Sequence, residues 1–535
     1  MNSFQPLLLK RKLNEIRLRG VVYTPADVAY ELVRYSLAEI NAKDVRVLEP
    51  SCGEGAFLSE LHKFRDCNLD ITAVDVDRGV VEKGITSFPR VSFQNQDFFD
   101  YSVHQEERFD LVIGNPPYLR RQFLPKSVRI QLQRVSTWAD YPLSSIKNVW
   151  VAFIVASERL LTQSGMLSMV VPYELLSVNY GGALREWLGE KFARVDIFVP
   201  DDKAFKEIEQ DAVVLVAQKK CVENHGFFIQ RVQSLGSLVK VTDLQLKKPN
   251  IDGVGNKSFL LNGDQVELIE KLRGSLKCVG DFCTSSPGTV TGANNFFILS
   301  RDFVDTQQLH DFVKPIIRKG SYIKGEVVFR SMGFDRIAEN KPCFLLDYDS
   351  IESIDLPPEL KSHLSIGIRS KIHERYKCSR RNPWYNVPDI PAADGFIFKR
   401  FHKTPKLLVN EMGISLTDVA YHIKIKPDYD IKSFVKSFYN SITLLFSEVE
   451  GRFYGGGVLE LTPSEFRRLP LPYAASSVAK FRSFEQKFVS NSGDESFFDK
   501  EDLRVKSELK LSDNDILLLR SARRTLRDYR LRHGS

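Results

Sequence analysis

Between residues 45 and 220 the chain switches repeatedly between short β-rich runs and helical patterns. This alternation limits its possible folds more than any other feature. The spacing predicts strands over Val45–Leu48, Ile71–Asp75, Val91–Gln94, Leu111–Ile113, Met166–Val171, Val195–Val199 and Ala212–Ala217. Between the fourth and fifth runs, Ile146, Val149, Trp150, Phe153 and Ile154 recur at helical spacing, with Gly165 as a stop. Strands separated by helices build βαβ units, and hence an α/β fold with a doubly wound, mostly parallel sheet. Ligands of such sheets bind outside the C-terminal strand ends. The pattern predicts a first domain over 1–230. A linker over 231–257 contains the turn-rich KKPNIDGVGNK. An α+β domain follows over 258–475, and a charged helical segment over 476–535.

A length of 535 residues accommodates two or three domains. No run of 18 apolar residues occurs, so no membrane partner is expected. MNSFQPLLLKRKLNEIRLRG places its apolar patch before its basic residues, the reverse of a secretory signal. A cytoplasmic location is therefore expected, nucleoid-associated if the chain binds DNA. Seven cysteines without a C-x2-C pair argue against a metal site and against a disulfide framework. The net charge of +7 is modest, but basic residues cluster at Lys10–Arg19, Arg369–Arg381, Lys399–Lys406 and Arg520–Arg532.

The stretch VLEPSCGEGAFLSEL, residues 47–61, reads as strand, glycine turn and helix start. Ser51, Cys52, Gly53 and Gly55 form the turn, and the glycines let the backbone approach a ligand closely. Glu49, at the strand end, would repel a pyrophosphate but suit a cationic amino-acid moiety. Asp75, followed by Val76, lies about 20 residues further on, where a ribose diol is gripped. Side-chain alternation favours Asp75 over Asp77. After the third strand, Asp97 can accept from an exocyclic amine and Phe98 can pack on an adenine. A positive centre, a ribose and an adenine fit S-adenosylmethionine; NAD, the rival, fits this acidic turn poorly.

DLVIGNPPYLRRQ, residues 110–122, ends a buried strand with an amide, two prolines and an aromatic. Asn115 and the carbonyl of Pro116 can both accept from one substrate NH2 group. That draws the nitrogen lone pair out of ring conjugation and makes it more nucleophilic. Pro116 and Pro117 stiffen this corner, and Tyr118 can stack on a flat substrate. Such stacking is worth roughly 1–3 kcal/mol per base, against a few kcal/mol to extrude one.

These two motifs resemble those of the gamma class of adenine-specific DNA N6-methyltransferases, in the same order, over about residues 20–220. The resemblance implies the class I S-adenosylmethionine-dependent methyltransferase fold and N6-methylation of a flipped adenine in duplex DNA. The setting would be restriction-modification or another host defence, with a cognate restriction endonuclease acting separately. GVVYTP, residues 20–25, resembles the segment that closes over the methionine end, which makes Tyr23 and Thr24 cofactor contacts. Asn115 and Pro117 join them, and Phe205 becomes a second stacking partner for the base. The resemblance also implies that the C-terminal domain reads DNA. IRSKIHERYKCSRRNPWY (368–385) and FKRFHKTPKLLV (398–409) supply basic and aromatic candidates there. These are Arg369, Lys371, Arg375, Arg380, Arg381, Trp384, Lys399, Arg400 and Lys403. An NPPY enzyme acting on RNA or on protein glutamine, a bifunctional restriction-modification enzyme and a catalytically silent DNA-binding subunit stand as alternatives.

Overall fold

The computed structural model describes residues 24–177, 179–201, 212–220, 224–246, 257, 260–347, 356, 358–388, 390, 393–454, 457–490 and 498–532. Two compact units are distinguished, the first running to Asn262 and the second beginning at Gly263. The first is built on a nine-stranded sheet. Its strands are β1 (Asp44–Glu49), β2 (Asn68–Asp75), β3 (Val91–Asn95), β4 (Phe109–Gly114), β5 (Leu161–Pro172), β6 (Arg194–Pro200), β7 (Ala212–Gln218), β8 (Gly226–Ser234) and β9 (Ser237–Leu246). They lie in the order β3-β2-β1-β4-β5-β7-β6-β8-β9. β7 runs antiparallel to β5 and β6, and β9 antiparallel to β8; the other neighbours are parallel. All seven predicted strands lie within β1–β7. The predicted helix is Val149–Leu160, and β5 begins at the next residue.

The core explains why these strands read as apolar runs. Val45 and Val47 of β1, Leu111 and Ile113 of β4, and Met166 and Val170 of β5 pack on one face with Val28, Ala29, Leu32 and Val33 of the helix Ala26–Ile40. Each large side chain buried in this way contributes about 1.5–3 kcal/mol. The helix Val149–Leu160 is buried along almost its whole length, as expected for a helix apolar on every side.

Two expected boundaries need correction. Residues 231–246 are not linker: β8 pairs along β6, and β9 pairs back on β8, so the first unit extends well past residue 230. The helical tail is likewise no separate segment at its start. In the second unit, Asp502 accepts from Ser441 N (2.8 Å) and Oγ (2.6 Å), and Glu501 pairs with Lys436. The Asp502 bonds fix the helix Asp499–Leu509 to the N-terminus of the helix Ser441–Glu450, and the Glu501 pair fixes it to the helix Ile431–Phe438.

The second unit is α+β. A five-stranded sheet orders Cys283–Pro287, Ala420–Ile425, Gly395–Phe398, Leu407–Asn410 and Val328–Phe329; a four-stranded one orders Ile298–Leu299, Phe344–Leu346, Val313–Ile317 and Ser415–Leu416. Among the described residues, no helix is long and apolar enough to cross a membrane.

Candidate active site

Register carries the two motifs to neighbouring strand ends. Val47 and Leu48 of β1 stand opposite Leu111 and Val112 of β4. Glu49 and Asn115 therefore emerge from adjacent strands, on the side that alternation assigns to Val47 and Ile113. A Cβ built on Gly114 would lie 3.3 Å from Pro50 Cδ, so the two chain ends touch.

Glu49 is 1% exposed, and its Oε2 has no hydrogen-bond partner among the described residues. Burial, reinforced by the nearby charge of Asp75, holds its carboxyl well above the usual carboxylate range. A desolvated carboxylate without a counter-charge is costly. The arrangement is complementary to a small organic cation at the strand ends.

The glycine turn is organised by Asp75. Its Oδ2 accepts from Gly53 N–H (2.9 Å) and its Oδ1 from Asp77 N–H (2.9 Å). Each oxygen retains acceptor capacity for a diol. Asp77 instead caps the helix Arg78–Ser87 by accepting from Gly79 N–H and Val80 N–H, which separates the two acids as alternation predicts. Gly53 (φ +49°) has open space where a side chain would stand, so a ligand can approach its backbone. Gly55 (φ +80°) differs: a Cβ there would lie 2.8 Å from Phe88 Cε2. Gly55→Ala combines backbone strain of about 1–3 kcal/mol with that clash. It is expected to lower the unfolding temperature in a thermal melt. Cys52 is buried, with its N–H on Val74 O (3.1 Å), and burial pushes its thiol pKa up. Ser51 Oγ donates to Asn115 O at 3.4 Å. Val76 is 73% exposed, an apolar side chain beside Asp75.

Asp97 caps the helix Phe98–His104, accepting from Phe99 N–H (2.8 Å) and Asp100 N–H (3.4 Å). Both bonds fall on Oδ1, and Oδ2 takes no part in the cap. Burial also raises its carboxyl pKa. Phe98 is 4% exposed and stacked on Phe153 (centroids 4.8 Å, 23°), so most of the ring expected to face an adenine is spent on the core. The signal for Phe153 was present in the helical periodicity, where it reads simply as core.

At the end of β4, Asn115 Nδ2 donates to Thr24 Oγ1 at 3.1 Å. This role for Thr24 was not legible in the sequence, where the residue appears only as a cofactor contact. The bond fixes the rotation of the amide, and with it the direction of its carbonyl oxygen. Pro116 is buried and Pro117 half-buried. Tyr118 is half-buried, with its hydroxyl donating to Val170 O at 3.3 Å. Burial, then the charge of Glu174, raises its pKa far above the ordinary tyrosine value, so it presents a neutral ring. Val149 N–H donates to Leu119 O (2.8 Å), and Arg120 bridges Asn148, so the loop is pinned on its far side. Tyr23 and Phe205 lie outside the described residues.

The DNA-binding candidates lie in the second unit. Arg380 stacks over Tyr376 (4.1 Å), and Arg375, Lys371 and Lys403 are exposed. Arg369 ends the helix Pro358–Arg369, and Lys399 is half-buried. Three candidates have structural partners. Arg381 donates to Thr291 O (2.9 Å) and Val290 O. Arg400 pairs with Glu460 at 2.6 Å. Trp384 packs against Phe296 (5.8 Å) at a core cluster. Among the described residues, no group of three or more His, Cys, Asp or Glu side chains could hold a metal ion.

Residues 38–205 match the Eco57I restriction-modification methylase family, and residues 256–505 match the C-terminal domain of the Type II methyltransferase M.Eco57I. The Type II methyltransferase M.AccI of Acinetobacter calcoaceticus is 23% identical, over 83% of this chain and 84% of that protein. M.PaeR7I of Pseudomonas aeruginosa is 22% identical, over 85% and 86%. The Type IIL restriction-modification enzyme MmeI, solved in complex with DNA, is 12% identical, with a TM-score of 0.53 over 98% of this chain and 74% of that one. The chain therefore carries, in one polypeptide, an Eco57I-like restriction-modification methylase domain followed by an M.Eco57I-type C-terminal domain.

Proposed function

We propose that the protein transfers a methyl group from S-adenosylmethionine to N6 of an adenine extruded from duplex DNA, as the modification member of a restriction-modification system. The observation that carries this reading is the corner itself: an amide held by Thr24 at the end of β4, beside a buried, uncompensated carboxylate at the end of β1. The residues present fit the cofactor. Glu49 would hold its cationic end, Gly53 its close approach, and Asp75 its diol, with Val76 beside them. When bound, S-adenosylmethionine supplies a methyl group attached to a positively charged sulfur.

The chain's own residues then prepare the nitrogen. The Asn115 and Pro116 carbonyl oxygens accept the two N–H bonds of the exocyclic amine, which localises its lone pair. The nitrogen so held would be the acceptor of the methyl group that S-adenosylmethionine supplies when bound, and would release one proton to solvent. No strong base is needed, because alkylation itself acidifies that proton. Acceptors held in advance by a stiff loop require little reorganisation during the step. Tyr118 offers its neutral ring to the flat substrate.

The deciding experiment incubates the protein with methyl-labelled cofactor and duplex DNA, RNA or peptide, and then analyses modified nucleosides. The expected product is N6-methyladenine in DNA. Label in RNA or peptide with unlabelled DNA overturns the proposal, and cleavage of unmethylated DNA reassigns the chain as bifunctional. DNA affinity is also expected to fall steeply with salt, because phosphate contacts release counterions. An equal dissociation constant at low and high salt would refute that dependence.

A further inference from the structure

The second unit contains a cavity of about 550 Å³ bordered by the loop Val290–Phe296, Arg318, the segment from Ser370 to Arg375, and Asp418. Its walls are stiff. A Cβ on Gly292 (φ +79°) would lie 2.9 Å from Lys377 Cβ, and one on Gly288 would lie 2.3 Å from Thr417 O, so the loop is pressed on both sides. Arg381 binds the carbonyls of Val290 and Thr291, and Ala293 N–H donates to Thr291 Oγ1 at 3.1 Å.

Arg318 and Asp418 face this space from neighbouring strand ends, and Arg375 lines it as a second cation. Val313–Ile317 pairs in parallel with Ser415–Leu416, with Ile317 opposite Leu416. Arg318 and Asp418 leave those ends close together, tied by Thr417 Oγ1 to Arg318 O at 3.2 Å. They form no ion pair with each other. One corner of the Arg318 guanidinium is held by Asn295 Oδ1, which sets the direction of the fork.

Building on the DNA-methylating reading above, we infer that this cavity reads the major-groove edge of one G·C base pair of the target sequence. An arginine fork matches guanine O6 and N7, and a carboxylate accepts from cytosine N4. A phosphate could pair with Arg318 and Arg375 but would leave Asp418 against a like charge, whereas a G·C edge matches both Arg318 and Asp418. The volume lies within the range of small-molecule sites, so it accommodates base edges.

The test expresses full-length wild type, Arg318→Lys and Asp418→Asn in cells and sequences the modified bases. Methylation rates are then measured on duplexes altered at single positions. The wild-type motif is expected to contain a G·C pair that both variants cease to require. Discrimination there should fall roughly 10- to 100-fold, while the other positions are still read. Asp418→Asn preserves size and shape, so it probes the charge with little risk to folding. An unchanged motif, an equal loss of rate at every sequence, or a wild-type motif without a G·C pair overturns the inference alone. Wild-type label on RNA or peptide with none on DNA removes the methylation reading and the inference with it.

Discussion

Asn115→Ala is expected to lower turnover by roughly 10²- to 10³-fold, the usual effect of removing one preorganised polar contact to a reacting centre. Cofactor affinity, read by calorimetric titration, should change by no more than a few-fold. The substitution removes an acceptor from the amine and leaves the buried Glu49, the Gly53 turn and Asp75 in place. Thr24→Val removes only the bond that orients the amide, so its loss of turnover should be smaller and lie in kcat. A loss of cofactor affinity as large as the loss of turnover in Asn115→Ala would show that the corner serves binding and not the chemical step.

Glu49→Gln should move two measurements in opposite directions. Cofactor affinity falls roughly 10- to 100-fold, because hydrogen bonds to charged groups are worth about 1.5–3 kcal/mol. The cofactor-free protein, by contrast, becomes more stable. Its raised carboxyl pKa means that the folded state holds a proton the unfolded chain releases. Glu49 therefore contributes stability below the ordinary carboxylate pKa and loses it as pH rises towards the raised value. Glutamine, which does not ionise, should gain most over wild type on the alkaline side. Wild-type cofactor affinity should weaken as acid protonates Glu49, and the variant's should stay flat across the same range. Thermal melts and titrations across pH check both. A variant less stable than wild type at alkaline pH would mean that the buried charge is compensated after all.

The fold of the first unit was readable because local rules are strong along its alternating elements. Periodicity located seven strands, and the glycine turn and NPPY mark strand ends by backbone geometry alone. The failures have physical causes. β8 and β9 were passed over because a hairpin added beyond β6 has no helix to announce it. The cofactor roles given to Asp97 and Phe98 are proposals beside their structural ones: one carboxylate oxygen caps the following helix and the ring packs on Phe153. In the second unit, the carbonyl, carboxylate and aromatic partners of Arg381, Arg400 and Trp384 come from distant stretches, which local sequence patterns do not reveal. Arg318 and Asp418 escaped notice because they are 100 positions apart and only strand pairing makes them neighbours.

The Thr24–Asn115 bond spans 91 positions and ties the amide proposed to act on the substrate to the threshold of the helix Ala26–Ile40. The aim of the amide is thus governed by how well that helix stays docked on the sheet, not by its own loop. Transient detachment of the helix would silence the enzyme while leaving the sheet folded, and amide-proton exchange along 26–40 should rise in step with any loss of turnover caused by loosening it.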